Sequence, residues 1–200
     1  MKKLLQIVFL SLAVTLSAVE GLAQTNVYYP FPDSNAVWRE YESGTYASSP
    51  PVGECYDYEN RYMGDTIIGA FTYKKIWKYG AHYGYNCSTY INPINYYVGA
   101  IRQDTLQRKI YFLPPFQNTD TLLYDFNLSL GDTLPPSYTN CTTNIVSSVD
   151  SVLVGAMYRK RFGLGYTYLI EGIGNTFGLL QPICFMLEPG SQLNCFGIVK

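Results

Sequence analysis

The clearest pattern along the chain is the alternation of side chains across Thr121–Leu130, which reads TLLYDFNLSL. Successive side chains of a β-strand point to opposite faces, so a period of two predicts a strand with one buried face. Gly131 and Asp132 follow this segment and end the predicted strand. The residues on its predicted buried face are Leu122, Tyr124, Phe126, Leu128 and Leu130.

Two similar stretches predict two equivalent β-hairpins: DTIIGAFTYKKIW at Asp65–Trp77 and DSVLVGAMYRKRF at Asp150–Phe162. Each has a β-forming run, then Gly-Ala, then a second run with cationic residues, which is the pattern of two strands joined by a tight turn. The turns are expected at Gly69-Ala70 and at Gly155-Ala156. The sequence leaves two explanations open: an ancient duplication, or two hairpins that use the same turn chemistry.

Three further segments complete the predicted secondary structure. YYVGAIRQD and QRKIYFLPP flank a polar turn around Gln103–Gln107 and predict another hairpin. The continuously apolar run Tyr166–Gly174 predicts a strand that is buried on both faces. Asp33–Ser43, with Asp33 or Ser34 as the N-cap, has the pattern of a turn or two of helix.

Together these segments predict an all-β fold of about ten strands, a single antiparallel meander that forms a barrel-like sheet or a β-sandwich. The 20 Tyr, 17 Gly and 11 Pro residues agree with short strands and tight turns. Parallel β/α architecture is disfavoured, because amphipathic helical segments are missing between the strands.

The first residues have the pattern of a secretory signal peptide. Lys2 and Lys3 precede the apolar run Leu4–Val14, which is too short to span a bilayer comfortably, and Gly21-Leu22-Ala23 offers small residues for cleavage. We therefore expect a leader at residues 1–23 and one all-β domain at 24–200, with no membrane span once the leader is removed. The expected location is secreted or periplasmic, or at the cell surface.

The charge and the cysteine content of the chain limit which partners and which disulfides are expected. The chain has 14 Lys and Arg against 15 Asp and Glu, with no basic concentration, so a nucleic-acid partner is not expected. Export permits disulfides, and five Cys leave at least one thiol free or paired with another chain. Cys184 and Cys195 flank the turn signal Pro189-Gly190, so we predict a disulfide between them. The pairing of Cys55, Cys87 and Cys141 stays open.

The sequence has few residues that could carry catalysis. It contains one His, His82, and no nucleophile, phosphate-binding or dinucleotide-binding motif, so no catalytic residue, metal or cofactor is predicted. Glu171 is the main exception, because it lies in the apolar run YLIEGIG. It is interpreted either as a general acid or ligand-binding group, or as a buried partner of Arg159, Arg161 or Arg102 or a cap for the following turn.

A concentration of aromatic residues favours binding over catalysis. Trp77, Tyr79, Tyr83 and Tyr85 lie close together in the chain, and with Glu171 they are the predicted ligand-binding residues. Exposed Tyr and Trp can stack on sugar rings or peptides, although a Tyr-rich sheet would also pair them across strands. We expect a non-enzymatic binding or surface-associated module with a glycan or protein partner. The alternatives are a secreted glycan hydrolase that uses carboxylates, and a small-ligand barrel with an open apolar lumen.

The order of several sequence blocks resembles a family of uncharacterised exported proteins of Bacteroidetes. The blocks include GDTIIGAFTYKKIW, TLLYDFNLSLGDT, SSVDSVLVGAMYRKRF and YLIEGIGNTFGLL, and the resemblance covers roughly residues 37–196. In that family the domain often precedes a C-terminal sorting domain of the type IX secretion machinery, which we expect to be absent here. The resemblance also implies O-glycosylation at Asp-Ser/Thr-apolar triplets, here at Thr66, Thr105, Thr121, Thr133 and Ser151.

Overall fold

The computed structural model describes residues 27–46, 52–140, 143–184 and 190–199, and the predicted leader lies outside them. These residues form strands, turns and loops, which confirms the all-β prediction. Among them no helix has the length and apolarity that crossing a bilayer requires. The strands are β1 (Ala36–Tyr46), β2 (Val52–Ile68), β3 (Phe71–Gly84), β4 (Thr89–Asp104), β5 (Lys109–Leu113), β6 (Thr121–Asp125), β7 (Ser148–Val154), β8 (Met157–Gly163), β9 (Tyr168–Ile170), β10 (Gly174–Asn175) and β11 (Gly190–Ile198).

The strands form two antiparallel sheets. The larger sheet has the order β11-β1-β2-β3-β4-β5-β6 and curls into a half-barrel, as the barrel-like prediction anticipated. Six of its strands follow one another as a meander, and β11 returns to pair with the outer edge of β1. The smaller sheet has the order β10-β9-β8-β7.

One hydrophobic core joins the two sheets. The half-barrel turns one face towards this core, and we call it the inner face; the opposite one is the outer face. Trp38, Tyr62 and Ile76 lie on the inner face and pack in the same cluster as Phe162 and Leu169 of the smaller sheet. The Trp38 indole N–H donates to the carbonyl oxygen of Ile173 at 2.7 Å, which satisfies its one polar group. Large side chains therefore fill the middle of the half-barrel.

Both predicted Gly-Ala hairpins are confirmed. β2 and β3 reverse at Gly69-Ala70, and β7 and β8 reverse at Gly155-Ala156. Gly69 and Gly155 have φ of 62° and 63°, the left-handed conformation that a two-residue hairpin turn needs and that glycine adopts without strain.

Each hairpin also carries an ion pair across its strands. Asp65 lies opposite Lys74 with 2.9 Å between carboxylate and ammonium, and Asp150 lies opposite Arg161 at 2.7 Å. The second hairpin has one more residue pair between its turn and its Asp, which accounts for the one-residue slip between the two sequence stretches.

The helical prediction for Asp33–Ser43 is wrong. Ala36–Tyr46 is strand β1, which pairs with β2 on one side and with β11 on the other. A possible N-cap is a local signal, whereas pairing on both edges is tertiary and outweighs it.

Two other strands are shorter than their patterns suggest, while the third predicted hairpin is found. β6 ends at Asp125, so the alternation across Thr121–Leu130 continues into a loop and leaves Leu130 exposed. The predicted strand Tyr166–Gly174 is reduced to Tyr168–Ile170, followed by a turn. The hairpin formed by β4 and β5 is confirmed.

Candidate functional site

Three aromatic rings lie together on the outer face of the half-barrel. Trp77 and Tyr79 alternate with the inward residues Ile76 and Lys78 on β3, so their side chains point outward. Their ring centroids are 6.2 Å apart with an interplanar angle of 23°, and Tyr97, opposite Trp77 on β4, lies 6.1 Å from the Trp77 ring. All three rings are half-buried. We call this group the aromatic platform.

Ion pairs border the aromatic platform on its β2 side. Arg61 is opposite Trp77, and its guanidinium carbon lies 5.6 Å from the centroid of the Tyr79 ring. The Arg61 Nε donates to Glu59 at 2.6 Å, and next to this pair Arg39 of β1 donates to Asp57 from Nε and Nη2, at 3.3 and 3.0 Å. Planar charged groups thus lie beside flat apolar rings on one open surface. Trp77 and Tyr79 were predicted as ligand-binding residues from the sequence, whereas the pairing register of the strands brings Tyr97 and these charges beside them.

Tyr83 and Tyr85 lie farther along the sheet. Tyr83 meets Tyr90 edge-on, with 6.1 Å between centroids and 76° between planes. Tyr85 lies in the turn between β3 and β4 and is 67% exposed. The structure therefore brings Trp77 and Tyr79 together and leaves Tyr83 and Tyr85 at the end of the same strand pair.

A disulfide joins Cys55 to Cys87 at this end of the sheet, with 5.2 Å between their Cα atoms. It links β2 to the turn between β3 and β4, and the Tyr41 hydroxyl lies 2.8 Å from the Cys55 sulfur. The asparagine that precedes Cys87, Asn86, donates its backbone N–H to the Gly53 carbonyl at 2.9 Å. The turn is therefore fastened to β2 by one covalent link and by backbone hydrogen bonding.

The predicted disulfide between Cys184 and Cys195 is wrong. Cys184 is disulfide-bonded, whereas Cys195 is an exposed free thiol. Cys195 lies on β11, which pairs with β1 so that Cys195 is opposite Arg39 and not opposite Cys184. Cys141 lies outside the described residues.

Glu171 lies apart from the aromatic platform, in the turn after β9. It is only 1% exposed, and burial raises the pKa of its carboxyl group, although the backbone N–H groups of Tyr29 and Lys160 partly offset this effect. Arg159 donates to the Glu171 backbone carbonyl at 3.1 Å, and no residue that the structure describes forms a hydrogen bond with the carboxylate oxygen Oε2.

Two of the three arginines predicted as ionic partners of the Glu171 carboxylate bind other carboxylates. Arg161 binds Asp150, and Arg102 binds Asp120 with 2.5 Å between Nε and Oδ2. The charges of Lys160 and Arg108 also lower the pKa of the Glu171 carboxyl group, in addition to the backbone contact with Lys160. A buried carboxylate without solvent contact is poorly placed to meet a polymeric substrate.

The sequence analysis missed a second buried carboxylate, that of Glu40 on the inner face. Tyr58 donates to its Oε2 at 3.1 Å, while Asn60 Nδ2 and the backbone N–H of Leu179 donate to Oε1 at 2.8 and 2.9 Å. The Lys78 ammonium lies 3.9 Å from the centroid of the Tyr58 ring. The available signal was the alternation Trp38-x-Glu40, which places Glu40 inward once β1 is known to be a strand.

The hydrogen bonds around Glu40, which we call the Glu40 network, attach the loop that follows β10 to the larger sheet. Gln181 of that loop donates to the Tyr58 hydroxyl at 2.7 Å, and Gly178 lies against the Glu40 carboxylate, where a Cβ atom would collide with it. Gly178 has φ of 145° and therefore favours glycine for its backbone as well.

Glu40 gives the protein a specific pH dependence. Burial raises the pKa of Glu40 above the ordinary value of 4.5, so ionising it costs more in the folded protein than in the unfolded chain. Its contribution to stability is therefore full below pH 4.5 and is lost as the pH rises through the folded-state pKa. Gln at this position stays neutral at every pH. We therefore expect the difference in free energy of unfolding, Glu40→Gln minus wild type, to become more positive as the pH rises from about 4 to about 8. Urea titrations across this range measure the difference; a difference that stays constant, or that decreases as the pH rises, contradicts the assignment.

His82 is held within the sheet by hydrogen bonds. Its Nδ1 lies 3.0 Å from Asn92 Oδ1, its Nε2 lies 3.1 Å from Glu54 Oε2, and its ring stacks on Tyr56 at 4.4 Å. In the part of the chain that the structure describes, no three His, Cys, Asp or Glu side chains form a group that could hold a metal ion.

Most of the glycosylation candidates are accessible. Thr66 is half-buried in β2, and the other four residues are exposed: Thr105, Thr121, Thr133 and Ser151. Exposure permits modification, and modification itself stays a prediction.

Comparisons of the chain with protein-family models, with curated proteins and with solved structures give no match. The resemblance to an exported family of Bacteroidetes therefore stays a prediction, and the aromatic platform is the main basis for a functional proposal.

Proposed function

We propose that the protein is an exported, non-enzymatic binding module, secreted or at the cell surface, that holds a glycan on its aromatic platform. The observation that carries this proposal is the near-parallel pair Trp77 and Tyr79, half-exposed on an open sheet face. Tyr97 extends the same apolar strip. A protein partner is the other class of ligand that such a face accommodates, and the experiment below separates the two.

The chemistry of a sugar fits this surface. The C–H face of a pyranose ring is flat and apolar and stacks on Trp or Tyr, while its hydroxyl groups need hydrogen-bond partners around the rim. Arg61 with Glu59 and Arg39 with Asp57 provide planar donors and acceptors beside the rings. Because these charges are already paired and exposed, sharing them with hydroxyl groups involves little desolvation.

The same geometry favours binding without hydrolysis. A glycoside hydrolase needs two carboxyl groups about 5–10 Å apart that flank the bond to be broken, one of them protonated. At the aromatic platform the carboxylates of Glu59 and Asp57 are each bound to an arginine, so both already have a partner on the protein. Glu171, the carboxylate on which the hydrolase alternative rests, is buried and away from the platform.

A glycan array on the purified protein, followed by calorimetric titration of the strongest ligand, tests the proposal. We expect Trp77→Ala to weaken binding at least about ten-fold, because truncating a central aromatic contact commonly costs more than 1 kcal/mol. Tyr158→Ala is the matched control, since Tyr158 is exposed on the smaller sheet, and it should leave affinity unchanged. The proposal fails if no glycan binds, if Trp77→Ala binds as well as wild type, or if the bound glycan is cleaved.

A further inference from the structure

A cavity of about 160 Å³ remains at one end of the half-barrel, on the inner face and away from the aromatic platform. Its apolar walls include Phe31, Ile101 and Ile110, all of them buried members of the main core. Lys74 and Gln103 lie among its polar lining residues. In size it is close to an engineered cavity of roughly 150 Å³ in another protein that binds benzene.

Tyr62 gives this cavity a polar group that the protein does not use. Tyr62 lines the cavity, is only 9% exposed, and packs edge-on against Trp38 with 5.2 Å between ring centroids. Its hydroxyl makes no hydrogen bond to any residue that the structure describes. The hydroxyl is not among the fully buried polar atoms that lack a partner, so it keeps some accessible surface beside the cavity and can donate to a bound molecule.

Most of the charged and amide groups around the cavity are already occupied, and Arg102 among them binds Asp120 through its Nε. Lys74 binds Asp65 through contacts of 2.9 and 3.0 Å, and Gln103 binds both the N–H and the carbonyl of Phe31 at 3.1 and 3.2 Å. Asp33 also lies in the lining, and its negative charge disfavours an anionic ligand. Of the two neutral hydroxyl groups in the lining, that of Thr72 belongs to an exposed residue and that of Tyr62 to a buried one, so Tyr62 is the more enclosed donor.

We propose that this cavity binds a small, uncharged, largely apolar molecule about the size of a substituted benzene, whose single hydroxyl or carbonyl group hydrogen-bonds to the Tyr62 hydroxyl. The ring or branched chain of the ligand would contact Phe31, Ile101 and Ile110. This site is independent of the glycan-binding proposal, since it uses the inner face and shares no residue with the aromatic platform.

Paired probes test the site on the purified chain. p-Cresol and toluene differ by one hydroxyl group, and their binding is measured by calorimetry and by ligand-observed NMR. We expect p-cresol to bind about three- to ten-fold more tightly than toluene, which is the fold-change of one net hydrogen bond. Tyr62→Phe should remove this difference and leave toluene binding intact. Tyr79→Phe, on the outer face, is the matched control and should keep the difference.

Tyr62→Phe also provides a readout without ligand. Removing a hydroxyl that has no partner should leave the denaturant midpoint unchanged or raise it, so loss of p-cresol binding is not caused by unfolding. Three results overturn the proposal: no saturable binding of either probe at millimolar concentration, equal affinity for p-cresol and toluene in the wild type, or a preference for p-cresol that persists in Tyr62→Phe.

Discussion

Replacing Glu40 by Ala is expected to lower the free energy of unfolding by about 3–5 kcal/mol, the range found when one member of a buried polar or ionic cluster is removed. The carboxylate accepts hydrogen bonds from Tyr58, Asn60 and the backbone of Leu179, so the substitution leaves three donors without an acceptor. It also removes the larger of the two negative-charge effects, those of Glu40 and Glu42, that favour the charged form of the half-buried Lys78. Each unpaired buried group costs about 1–3 kcal/mol by itself, and the loop around Leu179 loses its attachment to the sheet.

Glu42→Ala is the matched control for this experiment. Glu42 lies two residues farther along the inner face of β1, is half-buried, and accepts a longer hydrogen bond of 3.3 Å from Gln181. We expect its substitution to cost less than about 1 kcal/mol. Urea unfolding followed by tryptophan fluorescence measures both variants. Equal losses in the two variants would show that the Glu40 network is not the specific attachment described here.

Removing the Cys55–Cys87 disulfide is expected to have the second large effect, a loss of about 3–4 kcal/mol. The cysteines are 32 residues apart in sequence, and a cross-link over that separation restricts the unfolded chain by about this amount. The turn that it holds contains three successive residues with positive φ, Tyr85, Asn86 and Cys87, which are uncommon for side chains other than glycine. Without the cross-link this turn also loses a support for its backbone conformation.

The double variant Cys55→Ala/Cys87→Ala tests this expectation by chemical denaturation. The variant is preferable to a reducing agent, because Cys184 is also disulfide-bonded and would be reduced as well. Cys195→Ala is the control, since Cys195 is a free exposed thiol, and it should change stability by less than about 0.5 kcal/mol. A double variant as stable as this control contradicts the expectation.

The sequence was informative wherever the deciding interaction is local. A glycine followed by alanine between β-forming runs is sufficient to set the hairpins at Gly69 and Gly155, because the turn needs a left-handed residue and the strands follow directly. The grouping of Trp77 with Tyr79 is local for the same reason, since residues two apart on one strand share a face.

The sequence was uninformative wherever distant segments decide. The capping signal at Asp33 is overruled by β11, which comes from the far end of the described chain to pair with β1. The Glu40 network depends on Leu179, and the charges beside the aromatic platform depend on the register between β1, β2 and β3. The true partner of Cys55 was left open, because cysteine spacing alone does not fix connectivity.

The position of β11 has a consequence for the order of folding. The pairings among β1 to β6 join consecutive strands, so each closes a short loop, whereas the pairing of Ala36 on β1 with Ile198 on β11 closes nearly the whole described chain. Contacts of such high sequence separation form slowly, because the entropy of closing the loop is lost before the strand bonds are gained. The meander is therefore expected to form first, with the β1 edge unpaired until β11 arrives. Until β11 pairs with it, the edge of β1 is exposed, and a strand from another copy of the chain can pair with this edge.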